Sequence, residues 1–379
     1  MDFILFISLI SFFVAFTAIP IVIKISESKK LFDIPCDRKI HTKPISSLGG
    51  IGIFAALIFS ISVIIPFATA PWIQYFIAAA VIIFFLGLKD DLLLLSPMKK
   101  FTGQLIASFL LVYQGHFQIT SMHGFLGIQE LHPFISMGFT YLTILVVINA
   151  FNLIDGVDGL AGVLGLISTT SFGFIFLLEN EMAFAALSFS MASALVAFLV
   201  FNITPAKIFM GDTGSLLLGL VNAVLVVHFI SLETSGKSVL HFTAAPALGF
   251  AVLFIPLMDT LRVTLIRIYN GKSPFEPDQR HLHHLLLKRG YSHLKITSIL
   301  AASSVLLILF ALVAQPLGIN FVILSLFAIS FSVLGIAKWI AKVSKKSNAA
   351  LDSTDIIVQT LSAKVITPSG GIKDLELNN

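Results

Sequence analysis

Five aspartates, Asp90, Asp91, Asp155, Asp158 and Asp212, fall where apolar runs give way to short polar segments. Aspartate has too short a stem to snorkel far, and acids near membrane depth point to function. In Gly87-Leu88-Lys89-Asp90-Asp91 the adjacent carboxylates repel unless a cation or proton sits near them. Such a pair can hold Mg²⁺, supply a base, or simply end a helix in water. Asn149, Asn152, Asp155 and Asp158 recur every third residue, nearly one face while the chain stays helical. Asn oxygens beside carboxylates make a hard site suited to Mg²⁺, and Gly156 and Gly159 allow a sharp turn there. Asp212 and Thr213 precede a helix whose N-terminal N–H groups favour an anion, although both residues also serve as ordinary N-caps. The loop 261–295 holds seven basic residues and the cluster Arg280-His281-Leu282-His283-His284. On a helix, Arg280 and His284, and His281 and His284, would project from one side. Zinc is one reading, but no thiol is at hand. Recognition of phosphate or sugar by imidazoles agrees better with the oxygen sites. Asp, Asn, His, Arg and Lys together suggest a Mg²⁺-bound phosphate substrate and chemistry on the phosphoryl group. One substrate should be polar, the other dissolved in the membrane.

The elements that must position these residues are apolar. Of 379 residues 57% are hydrophobic and only 12% charged, and mean hydropathy is +0.98. A soluble domain carries about a quarter charged residues, so a water-soluble globular protein is excluded. Apolar runs at 3–23, 48–66, 72–88, 102–119, 134–151, 160–178, 183–201, 213–232, 241–260, 296–313 and 319–340 predict an all-α polytopic integral membrane protein of about eleven transmembrane helices. With alternating spans, 23 of the 24 basic residues share one side, leaving Lys237 opposite. The positive-inside rule makes that side cytoplasmic, with the N-terminus outside and the C-terminus inside. All four constellations then face the cytoplasm. The first helix reads as an uncleaved anchor. The single Cys36 excludes an internal disulfide. Residues 1–340 read as one multi-spanning domain and 341–379 as a polar cytoplasmic tail.

Taken in order, Arg38-Lys-Ile-His41-Thr-Lys43-Pro44 with Gly49-Gly50, GLKDD, NAFNLIDGVDGLAG, FNITPAKIFMGDTGS and RHLHH resemble the polyprenyl-phosphate N-acetylhexosamine-1-phosphate transferase family, its WecA/TagO branch most. The resemblance covers about residues 1–340. It implies transfer of a sugar-1-phosphate, GlcNAc by default, from a UDP-N-acetylhexosamine to undecaprenyl phosphate, with UMP leaving, at the bacterial inner (cytoplasmic) membrane. GalNAc, a 6-deoxy-amino sugar or MurNAc-pentapeptide are alternative donors. It implies Mg²⁺, or Mn²⁺ in its place, on Asp212 and Asn152, and catalytic roles for Asp90, Asp91 and Asp155. It implies substrate contacts from Asp158 and Phe209 (uracil), Asn202 (nucleoside), Lys100 (phosphate), and Arg280, His281, His283 and His284 (sugar or diphosphate). Asn149, His41 and Lys43 are further candidates. The implied partners are the nucleotide sugar, the lipid phosphate and the bilayer, with a homodimer as one assembly and no nucleic acid. The rival class, a secondary transporter, would place its acids near the bilayer midplane and often shows inverted repeats. Here the acids gather at one surface and no repeat is visible.

Overall fold

The computed structural model describes residues 2–31, 45–234, 238–273 and 280–332. His41 and Lys43 lie outside these residues, as does the predicted domain boundary at 340. The chain is a mostly helical, multi-pass membrane protein. An uninterrupted helix satisfies every backbone group internally, which lipid requires. Six helices are long and apolar enough to cross a bilayer. They are α1 (Asp2–Lys29), α5 (Pro133–Ile154), α6 (Leu160–Leu178), α7 (Met182–Asn202), α8 (Gly211–Thr234) and α12 (His293–Ala314, whose span runs on to Leu317). Joining the bent pair α9 (Ala245–Val252) and α10 (Phe254–Tyr269) gives a seventh.

Among the described residues every predicted apolar run overlaps a helix, but not every one is a straight, full-length span. α2 (Gly49–Ile64) has 16 residues, and α3 (Trp72–Leu93) carries Lys89, Asp90 and Asp91 in its last turns. The run at 102–119 becomes α4 (Pro97–Phe109), which passes into a π-helical turn over Leu110–Gln114. That helix starts early enough to include Lys100. The run at 241–260 breaks at Leu253, and α10 leaves α9 at 81°. The last run is helical over Ile319–Ser332, and its remainder lies outside the described residues. The chain divides into two compact units, 1–323 and 324–379; of the second, 324–332 is described and is helical.

The all-α expectation also missed an antiparallel hairpin, β1 (Ser121–Phe125) and β2 (Ile128–Glu130). Strands this short carry little alternation to read. Its turn places His123, Gly124, Leu126 and Gly127 at positive φ. Asn320 grips it, accepting from the Leu126 N–H at 2.9 Å.

α8 is the centre of the bundle, 89% buried along its most apolar stretch against 22% for α1. Small residues let its neighbours' backbones approach. A Cβ on Gly50 of α2 would stand 2.1 Å from the Gly214 nitrogen, and one on Gly87 of α3 would stand 2.5 Å from Thr213 Cα. Farther along, a Cβ on Gly219 would meet Ile148 Cα of α5 at 2.5 Å. Three helices thus hold the first half of α8 at backbone distance. The hairpin side meets its other end, where Ser231 Oγ donates to the Gln118 carbonyl at 2.6 Å. From Asp212 to Ser231 the helix rises about 28 Å, close to the thickness of a bilayer's hydrocarbon core.

Candidate active site

The acids meet at the beginning of α8. The segment before it is strapped down: Phe209 N–H donates to the Ser46 carbonyl at 2.8 Å, and Gly49 and Gly50 N–H groups donate to the Phe209 and Met210 carbonyls, each at 2.9 Å. Gly211 turns the chain at φ +67°, a conformation that favours glycine. A Cβ there would also stand 1.9 Å from the Ser47 carbonyl oxygen.

Asp91 caps that helix N-terminus. Its Oδ1 accepts from the Asp212 N–H at 2.8 Å, and its Oδ2 from the Thr213 N–H at 2.9 Å and the Thr213 hydroxyl at 2.5 Å. The helix start expected to attract an anion is therefore capped by a carboxylate from α3. Asp90, one residue earlier, turns elsewhere. It is buried, its Oδ1 accepts from the Leu95 N–H, and its Oδ2 lies 2.5 Å from Lys100 Nζ. Lys100 also reaches Asp212 Oδ2 at 2.5 Å. One ammonium thus bridges two carboxylates from α3 and α8. Asn152 of α5 completes the group, donating to Asp212 Oδ1 at 2.9 Å and to Ser215 Oγ at 3.0 Å. The end of α3 and the start of α4, which follow Asp90 in the chain, leave apolar side chains exposed: Leu92, Leu93, Leu94 (88% exposed) and Met98.

The four polar groups spaced by three do not share one face, because α5 stops at Ile154. Asn149 pairs with Gln104 of α4 at 2.7 Å. Asp155 ends the helix, and its carboxylate has no hydrogen-bond partner among the described residues. Burial, then the charges of Asp212, Asp91 and Asp158, push its pKa up to about 8. Asp158 turns to His293, whose Nδ1 lies 3.1 Å from Oδ1, and accepts from the Thr204 hydroxyl at 3.2 Å. Asn202 is a buried tie: its Oδ1 accepts from the Gly159 N–H and its amide donates to the Ile208 carbonyl, both at 2.9 Å. It joins the 155–159 turn to the loop that carries the half-buried Phe209. A cleft beside this turn is lined by Asp158, Gly159, Thr204, Leu294 and Thr297.

The histidine cluster reaches the same turn. The helix α11 (Leu282–Leu287) begins after Arg280 and His281, so the expected shared helical face does not form. His283 is buried with its Nε2 against Gly156, where a Cβ would stand 2.1 Å away. Burial, then the neighbouring His284, lower its pKa to about 3, so it stays neutral. The His284 ring lies 4.3 Å from that of His283. Arg280 is exposed, and its carbonyl accepts from Arg262.

Sequence reading missed Asp259 and His293. Asp259 looks like part of an apolar run, yet a lone acid inside such a run was a signal. His293 follows Ser292, the N-cap of α12, and only the packing of α12 on α6 brings it to Asp158. Among the described residues no group of three His, Cys, Asp or Glu side chains closes into a metal cage. Asp212 and the adjoining Asn152 could supply a carboxylate and an amide oxygen. That set fits Mg²⁺, which commonly takes one or two protein oxygens and completes its shell from phosphates and water.

Residues 73–230 match the family model described as glycosyl transferase family 4, a stretch holding every aspartate of the site's five and Lys100. The chain is similar to the undecaprenyl-phosphate alpha-N-acetylglucosaminyl 1-phosphate transferase of Escherichia coli K12, 28% identical over 343 residues, covering 85% of this chain and 90% of that one. The protein of that name from Yersinia pestis is 28% identical, covering 87% of this chain and 89% of that one. A probable undecaprenyl-phosphate N-acetylglucosaminyl 1-phosphate transferase from Bacillus subtilis is 30% identical over 274 residues, covering 72% and 74%.

Proposed function

As a member of glycosyl transferase family 4, to which the chain belongs, this protein is a sugar-phosphate transferase, and we propose that it moves GlcNAc-1-phosphate from UDP-GlcNAc to undecaprenyl phosphate. The products are undecaprenyl-diphospho-GlcNAc, which starts a cell-envelope polysaccharide, and UMP. The relatives' printed activity supports the substrates. The observation that carries the reading is the Lys100 ammonium bridging Asp90 and Asp212, with Asn152 on Asp212. Such a cluster of oxygen donors and one cation suits a diphosphate arriving with Mg²⁺.

The lipid phosphate oxygen attacks the sugar-bearing phosphorus in line, the bond to the bridging oxygen breaks, and UMP carries that oxygen away. The acceptor is already an oxyanion near neutral pH, so it needs orientation and charge neutralisation more than a strong base. Lys100 orients the phosphates, and Asp90, paired with that ammonium, activates the lipid phosphate or positions it. Asp212, with Asn152, would hold Mg²⁺, which supplies charge neutralisation on the diphosphate when bound. Asp155 shapes that environment, and Asp91 holds the first turn of α8 that presents Asp212. Asp158, with Phe209, binds uracil, and Asn202 fixes the loop that carries Phe209. Arg280, His281, His283 and His284 meet the sugar or diphosphate. In this reading eleven spans put the N-terminus outside and the active site at the cytoplasmic face of the inner membrane, with 341–379 as a cytoplasmic tail.

Purified protein given Mg²⁺, undecaprenyl phosphate and a panel of UDP-sugars should release UMP fastest from UDP-GlcNAc. No UMP from any donor would overturn the reading. A labelled phospho-enzyme accumulating without lipid acceptor would overturn the direct attack.

A further inference from the structure

Asp259 of α10 is 1% exposed and belongs to no motif described above. Its Oδ1 accepts from the Leu282 N–H at 2.8 Å and from Arg262 Nη2 at 3.2 Å, and its Oδ2 lies 2.8 Å from His281 Nδ1. A carboxylate that receives an N–H and a guanidinium is an ionised acceptor, so Nδ1 must carry the proton it gives. In the neutral ring the lone pair then sits on Nε2. That nitrogen is buried, on a residue 3% exposed, and has no hydrogen-bond partner among the described residues. A buried acceptor without a donor is costly, so such an atom is kept where a ligand supplies the donor. The His281 ring stacks on His283 at 5.8 Å and 10°, and His283 abuts Gly156, between Asp155 and Asp158.

We propose that Asp259 is a positioning residue that locks His281 in the Nδ1-protonated tautomer, so that Nε2 is held as the acceptor for a hydroxyl or amide N–H of the donor sugar. Arg262 serves the same arrangement from one turn away, tying Asp259 to the Arg280 carbonyl. This deepens the transferase reading and rests on it for the ligand. A carboxylate behind an imidazole fixes tautomer and ring orientation, and behind metal-bound imidazoles losing such a partner commonly costs 10–100-fold.

The test has two arms. In the full-length chain labelled with ¹⁵N-histidine, with H281Q assigning the signal, His281 should carry its proton on Nδ1; an Nε2–H tautomer would overturn the proposal. In turnover, D259N should lower kcat/KM for UDP-GlcNAc about 10–100-fold, with D259E recovering part of the loss. The double variant D259N/H281Q should be no worse than H281Q alone, because Asp259 acts through His281. Wild-type kcat/KM in D259N, or losses that multiply in the double variant, would overturn it. A wild-type chain that releases no UMP indicts the assigned reaction instead, and the tautomer measurement still decides Asp259.

Discussion

Asp212 touches both Lys100 and Asn152, so its loss removes a carboxylate from each partner at once. Asp212→Asn should abolish Mg²⁺-dependent UMP release, by about 10²-fold or more, as loss of a charge-stabilising group does. Unchanged turnover would remove Asp212 from the metal's ligands. Asp155 predicts a pH dependence. With its pKa pushed up to about 8, it holds a proton at neutral pH that the unfolded chain, at its ordinary value near 3.8, does not. A cation binding beside it must displace that proton, so apparent Mg²⁺ affinity should tighten from pH 6.5 to 8.5 and level off above. Mg²⁺ titrations of UMP release across that range measure it, and Asp155→Asn should flatten the slope. Linkage gives the stability sign: metal-free protein should lose thermal stability as pH rises from about 4 to 8, since the folded state holds the extra proton. At this scale the residue types were readable before the structure, and their divergent directions were not. A period of three holds only while the helix lasts, and it ends at Ile154.

Helices position the site by backbone contact, and glycine substitutions test that directly. Gly87→Ala drives a methyl into the Thr213 backbone, and Gly156→Ala drives one into His283. Each should cost about 1–3 kcal/mol, seen as a lower Tm in detergent, together with lost turnover. Gly138→Ala, with nothing within 4 Å of the new methyl, should keep activity and gain up to about 1 kcal/mol from helix propensity. Equal losses at all three would show that the close approaches do not matter. Hydropathy located the helices because lipid demands apolar side chains along a span. It could not find the break at Leu253, since Phe254 and Ile255 are as apolar as the residues before it. It could not find the hairpin either, whose form depends on positive-φ turn residues rather than on alternation.

Across the molecule, the apolar spans were legible in the sequence, and the sorting of its basic residues predicts a topology. Topology is testable with the chain's single cysteine. In intact cells Cys36 should resist a membrane-impermeant maleimide until the membrane is opened. A C36S/L126C variant should label at once from outside, because Leu126 is exposed at the hairpin tip. The reverse pattern would invert the topology. The exposed apolar side chains of Leu92, Leu93, Leu94 and Met98, which follow Asp90 in the chain, have a kinetic corollary. If the proposed polyprenyl acceptor lies along these side chains, it would reach Lys100 from within the membrane. The reaction is then two-dimensional for one substrate and three-dimensional for the other. Its rate should follow the mole fraction of lipid phosphate in the micelle or bilayer, so inert phospholipid added at a fixed bulk concentration of lipid phosphate should slow it by surface dilution alone.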